Sequence, residues 1–203
     1  MPSHHYLTDE ELAMLNQLYQ DSGSSALMTL PLMMDANIGP LLEQAATLEL
    51  KLEIGKIKLS FPVALSHPAA SQEPVELSPP NIITNGGHPR AWRLPHPQNI
   101  KLYRPNGQPL MAEIRDLSIN GMRLLSARPL FKPSPSRQVH KKILLELGQE
   151  QQLGLQLSLV RQRKGPHFWL SAVQFELAPG DKAALSDFVF QGFLARINKQ
   201  QEP

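Results

Sequence analysis

The chain has 203 residues, enough for one generous domain or two small ones. Hydrophobic residues at 41% and charged residues at 19% favour a folded chain over a disordered one. Lys+Arg 20 against Asp+Glu 18 leaves a formal charge of only +2, which argues against nucleic acid as a partner, and the absence of cysteine excludes disulfides, iron–sulfur clusters, thiolate zinc sites and cysteine nucleophiles.

The start, Met1-Pro2-Ser3-His4-His5-Tyr6, lacks the basic-then-apolar layout of a secretory signal. No apolar stretch reaches the ~18 residues of a spanning helix. The expectation is a cytoplasmic protein without membrane insertion. Residues 7 to 21 read as a short helix, with Thr8 and Glu11 in capping-box spacing and Leu12, Leu15 and Leu18 on one stripe. From Leu48 the period becomes two: Leu48, Leu50, Leu52 and Ile54 alternate with charged residues, and after Gly55-Lys56 the alternation resumes at Ile57, Leu59, Phe61 and Val63. This predicts a β-hairpin with one buried face.

Residues 66 to 98 carry Pro68, Pro74, Pro79, Pro80, Pro89, Pro95 and Pro97. That density predicts loop, linker or edge, and places a domain boundary near residue 85, between a 1–85 accessory domain and an 86–200 domain. The second half reads as short strands: Ile100 to Tyr103, Leu110 to Ile114, Asp116 through Leu125, Ile143 to Leu147, Leu153 to Val160 and Trp169 to Phe175. Asp181 to Ile197 closes the chain as an amphipathic helix. The fold class is mainly β: a C-terminal antiparallel β-barrel with a helix, preceded by a small β-rich domain with an N-terminal helix.

No nucleophile elbow, phosphate loop, dinucleotide fingerprint or metalloprotease motif is present, and His67, His88, His96, His140 and His167 are scattered. The chain therefore does not read as an enzyme, and no metal site is expected. Two segments stand out, Arg90-Ala91-Trp92-Arg93 and Asp116-x-Ser118-x-x-Gly121. Arginine offers a planar fork of donors for phosphate and stacks on flat rings. Asp116 and Ser118, two apart on a strand, share a face where a carboxylate accepts from a guanine amine. Gly121 frees the backbone to turn sharply or lets a ligand approach. Together they suit an anionic, guanine-bearing small ligand.

This order resembles the PilZ domain, the bacterial receptor module for cyclic di-GMP. The resemblance covers roughly residues 88 to 197. It implies that Arg93, Asp116, Ser118 and Gly121 bind cyclic di-GMP, with the arginines on its phosphates and D-x-S-x-x-G on guanine. The family's loop is R-x-x-x-R, and here the first arginine position is Pro89, which leaves Arg90 as the available cation. Three readings stay open among the neighbours. Arg123 either points into the site or lies on the surface; Trp169 is either an aromatic wall for guanine or a core residue; Trp92 is either a docking anchor or a stacking surface. The pair Lys141-Lys142 reads as solvated.

The region before residue 88 resembles the accessory β-domain of flagellar-brake proteins. By that resemblance, ligand binding changes the interdomain arrangement and regulates motility, biofilm or virulence through an unidentified protein partner, such as flagellar or pilus machinery. The alternative is a degenerate PilZ adaptor or assembly subunit that binds no nucleotide. Either form is compatible with a monomer or a homodimer.

Overall fold

The computed structural model describes residues 28–31, 45, 47–64, 74–132, 140–148 and 151–201. The chain divides into two compact units, Met1–Trp92 with Phe193–Pro203, and Arg93–Gly192. The expected helix over 7 to 21, and His67, lie outside the described residues.

In the first unit the predicted hairpin is β2 (Glu49–Ile54) and β3 (Ile57–Ala64), paired in register from Ile54↔Ile57 to Glu49↔Pro62. Gly55 takes a φ of 55° at the turn, where a Cβ is disfavoured. Leu59 and Phe61 are buried as the alternation requires, but Leu50 and Leu52 opposite them remain 38% and 36% exposed because β2 pairs only with β3 and is an edge. The sheet is six-stranded, in the order β1 (Met28–Pro31), β4 (Pro74–Leu77), β3, β5 (Asn81–Gly86), β6 (His88–Ala91), with β2 on β3.

The proline-dense stretch thus holds more strand than expected. The reason lies in where the prolines sit. Pro74 opens β4, Pro79 and Pro80 fall between strands, Pro89 is on the edge strand β6, and Pro95 is on the edge strand β7 (Leu94–Pro95). These are the positions where a missing N–H breaks no ladder.

The second unit is a seven-stranded antiparallel sheet curled into a half-barrel. Its order is β7, β9 (Glu113–Ser118), β10 (Gly121–Ser126), β13 (Trp169–Glu176), β12 (Gln151–Lys164), β11 (His140–Leu147), β8 (Ile100–Tyr103). Period two sorts its residues. Leu117, Met122, Leu124, Ile143, Leu145, Leu153, Leu155, Leu157 and Val173 are buried on the inner face. Each such side chain contributes about 1.5–3 kcal/mol by leaving water.

The helix α1 (Pro179–Gln201) begins two residues earlier than predicted, with Asp181 in its first turn. Leu185, Val189, Phe190, Phe193, Leu194 and Ile197 form its buried stripe. Leu94 pairs directly with Leu117 and so shares its face, and a Cβ on Gly192 would meet Leu94 Cδ2 at 2.6 Å. The helix therefore covers the inner face of the half-barrel. No helix among the described residues is long and apolar enough to cross a membrane.

Candidate functional site

The site is built on the β9–β10 hairpin, where Gly121↔Ser118, Met122↔Leu117 and Arg123↔Asp116 are directly opposed. Opposed residues share a face, so Asp116, Ser118, Gly121 and Arg123 stand together on the outer face and Leu117 and Met122 on the inner. A register shift follows at Arg123/Leu124, where Leu124 pairs with Ile114 and Arg115 becomes the extra residue. This bulge lets Ile114 return to the core while Asp116, only two residues on, faces outward.

Asp116 is 2% exposed. Arg93 Nη1 donates to its Oδ1 at 2.7 Å, and Arg123 Nε donates to its Oδ2. The carboxylate therefore lies beneath two guanidinium groups rather than beside a ligand, and its charge is held by both. Arg93 also reaches the Gly121 carbonyl at 3.5 Å. The Arg93 and Arg123 side chains stay 36% and 52% exposed, and Arg123 bonds Asp116 through Nε. Two cations over one buried anion leave a net positive rim, suited to phosphate oxygens. Arg123 thus shares the Asp116 carboxylate with Arg93.

Ser118 is 1% exposed, and its Oγ lies 3.0 Å from both the Gly121 carbonyl and Asn120 Oδ1, its single proton serving one at a time. On the outer face it is covered from solvent and spends its hydroxyl on the turn. Gly121 has a physical reason to be glycine: an added Cβ would lie 2.7 Å from the Val173 carbonyl and 3.5 Å from Arg93 Nη2. The Val173 carbonyl is strand backbone and has nowhere to move. A Gly121→Ala variant should unfold at lower urea concentration, with a loss of about 1–3 kcal/mol from overpacking. An unchanged midpoint would contradict this close approach.

The remaining sequence-chosen residues separate. Arg90 is exposed in the edge strand β6, opposite Thr84, whose Oγ1 donates to its carbonyl at 3.3 Å. It belongs to the first unit and Arg93 to the second. Trp169 pairs with Ser126 and Lys164, and alternation puts it with Ser171 and Val173, on the face opposite Asp116. An aromatic wall over the Asp116 face is not its position. Trp92 meets Phe193 edge to face, centroids 5.2 Å apart at 84°, which fits the docking-anchor reading. Lys141 is half-buried and donates to the Leu130 carbonyl at 3.1 Å, its pKa lowered by burial and then by Arg104. Only Lys142 fits the solvated reading.

The register also adds neighbours that single-segment reading missed. Across the outer face, Asp116 leads to Arg123, Ala172 and Arg161. A parallel row leads from Ser118 through Gly121, Gln174 and Ser158 to His140. Their signal is cross-strand pairing between segments far apart in the chain. Among the described residues no cluster of His, Asp and Glu could hold a metal ion.

Among curated proteins no sequence relative matches. Among solved structures, the chain is similar to YcgR from Escherichia coli in complex with c-di-GMP, at 15% identity, TM-score 0.43, covering 98% of each chain. It is similar to K. pneumonia MrkH in its apo state, at 12% identity and TM-score 0.42, covering 94% of this chain and 93% of that one. It is also similar to the Bacillus subtilis inhibitor of motility MotI/DgrA, at 13% identity and TM-score 0.41, covering 74% of each. The family profile described as PilZ domain matches residues 88–191, which span the arginine segment, the β9–β10 hairpin and most of the helix. The chain belongs to the PilZ domain family, the family of cyclic di-GMP receptors.

Proposed function

We propose that the chain is a cytoplasmic cyclic di-GMP receptor that does no covalent chemistry on its ligand. The observation that carries this is the pair of half-exposed guanidinium groups, Arg93 and Arg123, fixed over the buried Asp116 on the outer face of the hairpin. Both are oriented before ligand arrives, so little side-chain entropy remains to be lost on binding. Arg93 and Arg123 hold phosphate, Gly121 keeps the surface low enough for close approach, and Asp116 and Ser118 act as positioning residues beneath them. Arg90, three residues before Arg93, is the further candidate cation of the arginine segment. By the family resemblance, ligand binding changes the interdomain arrangement and so alters a surface read by a protein partner in motility, biofilm or virulence control.

Titration calorimetry with cyclic di-GMP tests it. Saturable heat is expected, weakened about tenfold to a hundredfold in Arg93→Ala through loss of a charge-assisted phosphate contact. Arg90→Ala separates a clamp of two segments from a site confined to Arg93 and Arg123. Pro89, at the family's first arginine position, favours the second reading, an adaptor that binds no nucleotide. Heat that never saturates at high ligand concentration would select it.

A further inference from the structure

Asp116 is 2% exposed beneath two arginines and Ser118 is 1% exposed on the turn, so neither presents an accessible edge on this surface. The exposed polar groups of the outer face lie elsewhere. A cavity of about 670 Å³ opens within the second unit, lined among the described residues by Asn120, His140, Gln156, Ser158, Gln174 and Glu176 around the Phe175 backbone position. That size falls in the range of small-molecule sites, ~300–1,000 Å³.

Its position follows from the register. Gln174 is directly opposite Gly121, Ser158 opposite Gln174, and His140 opposite Ser158. The row runs from the arginine-bearing hairpin across three strand spacings, or about 14 Å. Its chemistry differs from the hairpin's. The lining holds no arginine or lysine and one exposed carboxylate, Glu176, so it offers a phosphate no cation. What the cavity offers is amides from Asn120, Gln156 and Gln174, a carboxylate, and a Ser158–His140 pair 3.0 Å apart. That set matches the edge of a nucleobase.

We propose that this cavity is a base subsite that reads a guanine of the cyclic dinucleotide, with Glu176 as its specificity-determining residue. The inference rests on the receptor reading above and deepens it. A guanine edge presents N1–H and N2–H donors beside the O6 acceptor. The Glu176 carboxylate accepts from the donors, and an amide from Gln174 or Asn120 donates to O6. Adenine presents an unprotonated N1 and a 6-amino donor instead, so it would set a lone pair against the carboxylate and leave polar groups unmatched.

The test is calorimetry of the full chain with cyclic di-GMP and cyclic di-AMP, in wild type and Glu176→Gln. Wild type is expected to prefer cyclic di-GMP. Glu176→Gln should weaken it about tenfold to a hundredfold while leaving cyclic di-AMP unchanged, because the phosphate contacts remain. Glu176 is exposed, so the variant should unfold where wild type does; if it does not, Gln174→Ala carries the same readout. Equal cyclic di-GMP affinity in wild type and variant overturns the subsite and leaves the receptor standing. A wild-type chain that binds neither nucleotide overturns both.

Discussion

Replacing Arg93 and Arg123 together by methionine is expected to destabilise the second unit by about 3–5 kcal/mol, while either single replacement costs about 1 kcal/mol. The asymmetry comes from Asp116, 2% exposed, whose two oxygens each receive one guanidinium. With one arginine gone the carboxylate keeps the other. With both gone, the long apolar side chains of methionine still cover it, and a buried charge has no counterion. The arginines themselves are half in solvent, so each pair alone is screened and of little worth. The excess of the double variant over the sum of the singles measures the dependence of Asp116 on having at least one cation. Adding Asp116→Asn to the double variant should recover a large part of the loss, since a buried amide costs far less than a buried charge. Urea midpoints at constant m-value check all four chains, and strictly additive singles would show that the carboxylate needs neither arginine.

How much of this was legible beforehand follows from what each signal encodes. Alternation is local, so the β2–β3 hairpin and the shared face of Asp116 and Ser118 could be read from short segments. Helical spacing likewise located α1 to within two residues at its start. Proline density misled over 66 to 98, because the count shows how many N–H groups are missing and not which strand edges they fall on. The bulge at Arg115 left no mark, since nothing in Ile114-Arg115-Asp116 distinguishes an extra residue from a regular one. Trp169 shows the limit most clearly: its face depends on pairing with Ser126 and Lys164, which lie in other strands. The same is true of Gln174, Ser158, His140 and Arg161, none of which belongs to a recognisable motif. The pairing of Asp116 with Arg93 and Arg123 likewise joins separate segments of the chain. Only the flanking arginines reveal that the carboxylate's charge is consumed in holding them.

Phe190→Ala separates the stability of the fold from the chemistry of its outer face. Phe190 is 0% exposed and is among the largest fully buried side chains of the chain. It lies on the buried stripe of α1 with Leu185 and Val189, and the helix covers the inner face of the half-barrel, as the approach of Leu94 to Gly192 shows. Truncation to alanine removes the transfer free energy of the ring and leaves a cavity that a packed sheet cannot close, an expected loss of about 3–5 kcal/mol. Against a typical total of ~5–15 kcal/mol this is a large fraction, and the thermal midpoint should fall by well over about 10 °C. Gln191→Ala next to it removes an exposed side chain bonded to Asp187 at 2.9 Å and should stay within about 0.5 kcal/mol of wild type. Asp116 and Arg123 stand on the opposite side of the sheet, set by the β9–β10 register, which the lost ring does not touch. At low temperature, where the variant is still folded, its cyclic di-GMP affinity should therefore match wild type within about threefold. If affinity at 10 °C fell in step with stability, the two faces of the sheet would be coupled through the helix, and the separation of core from ligand surface argued from the register would be wrong.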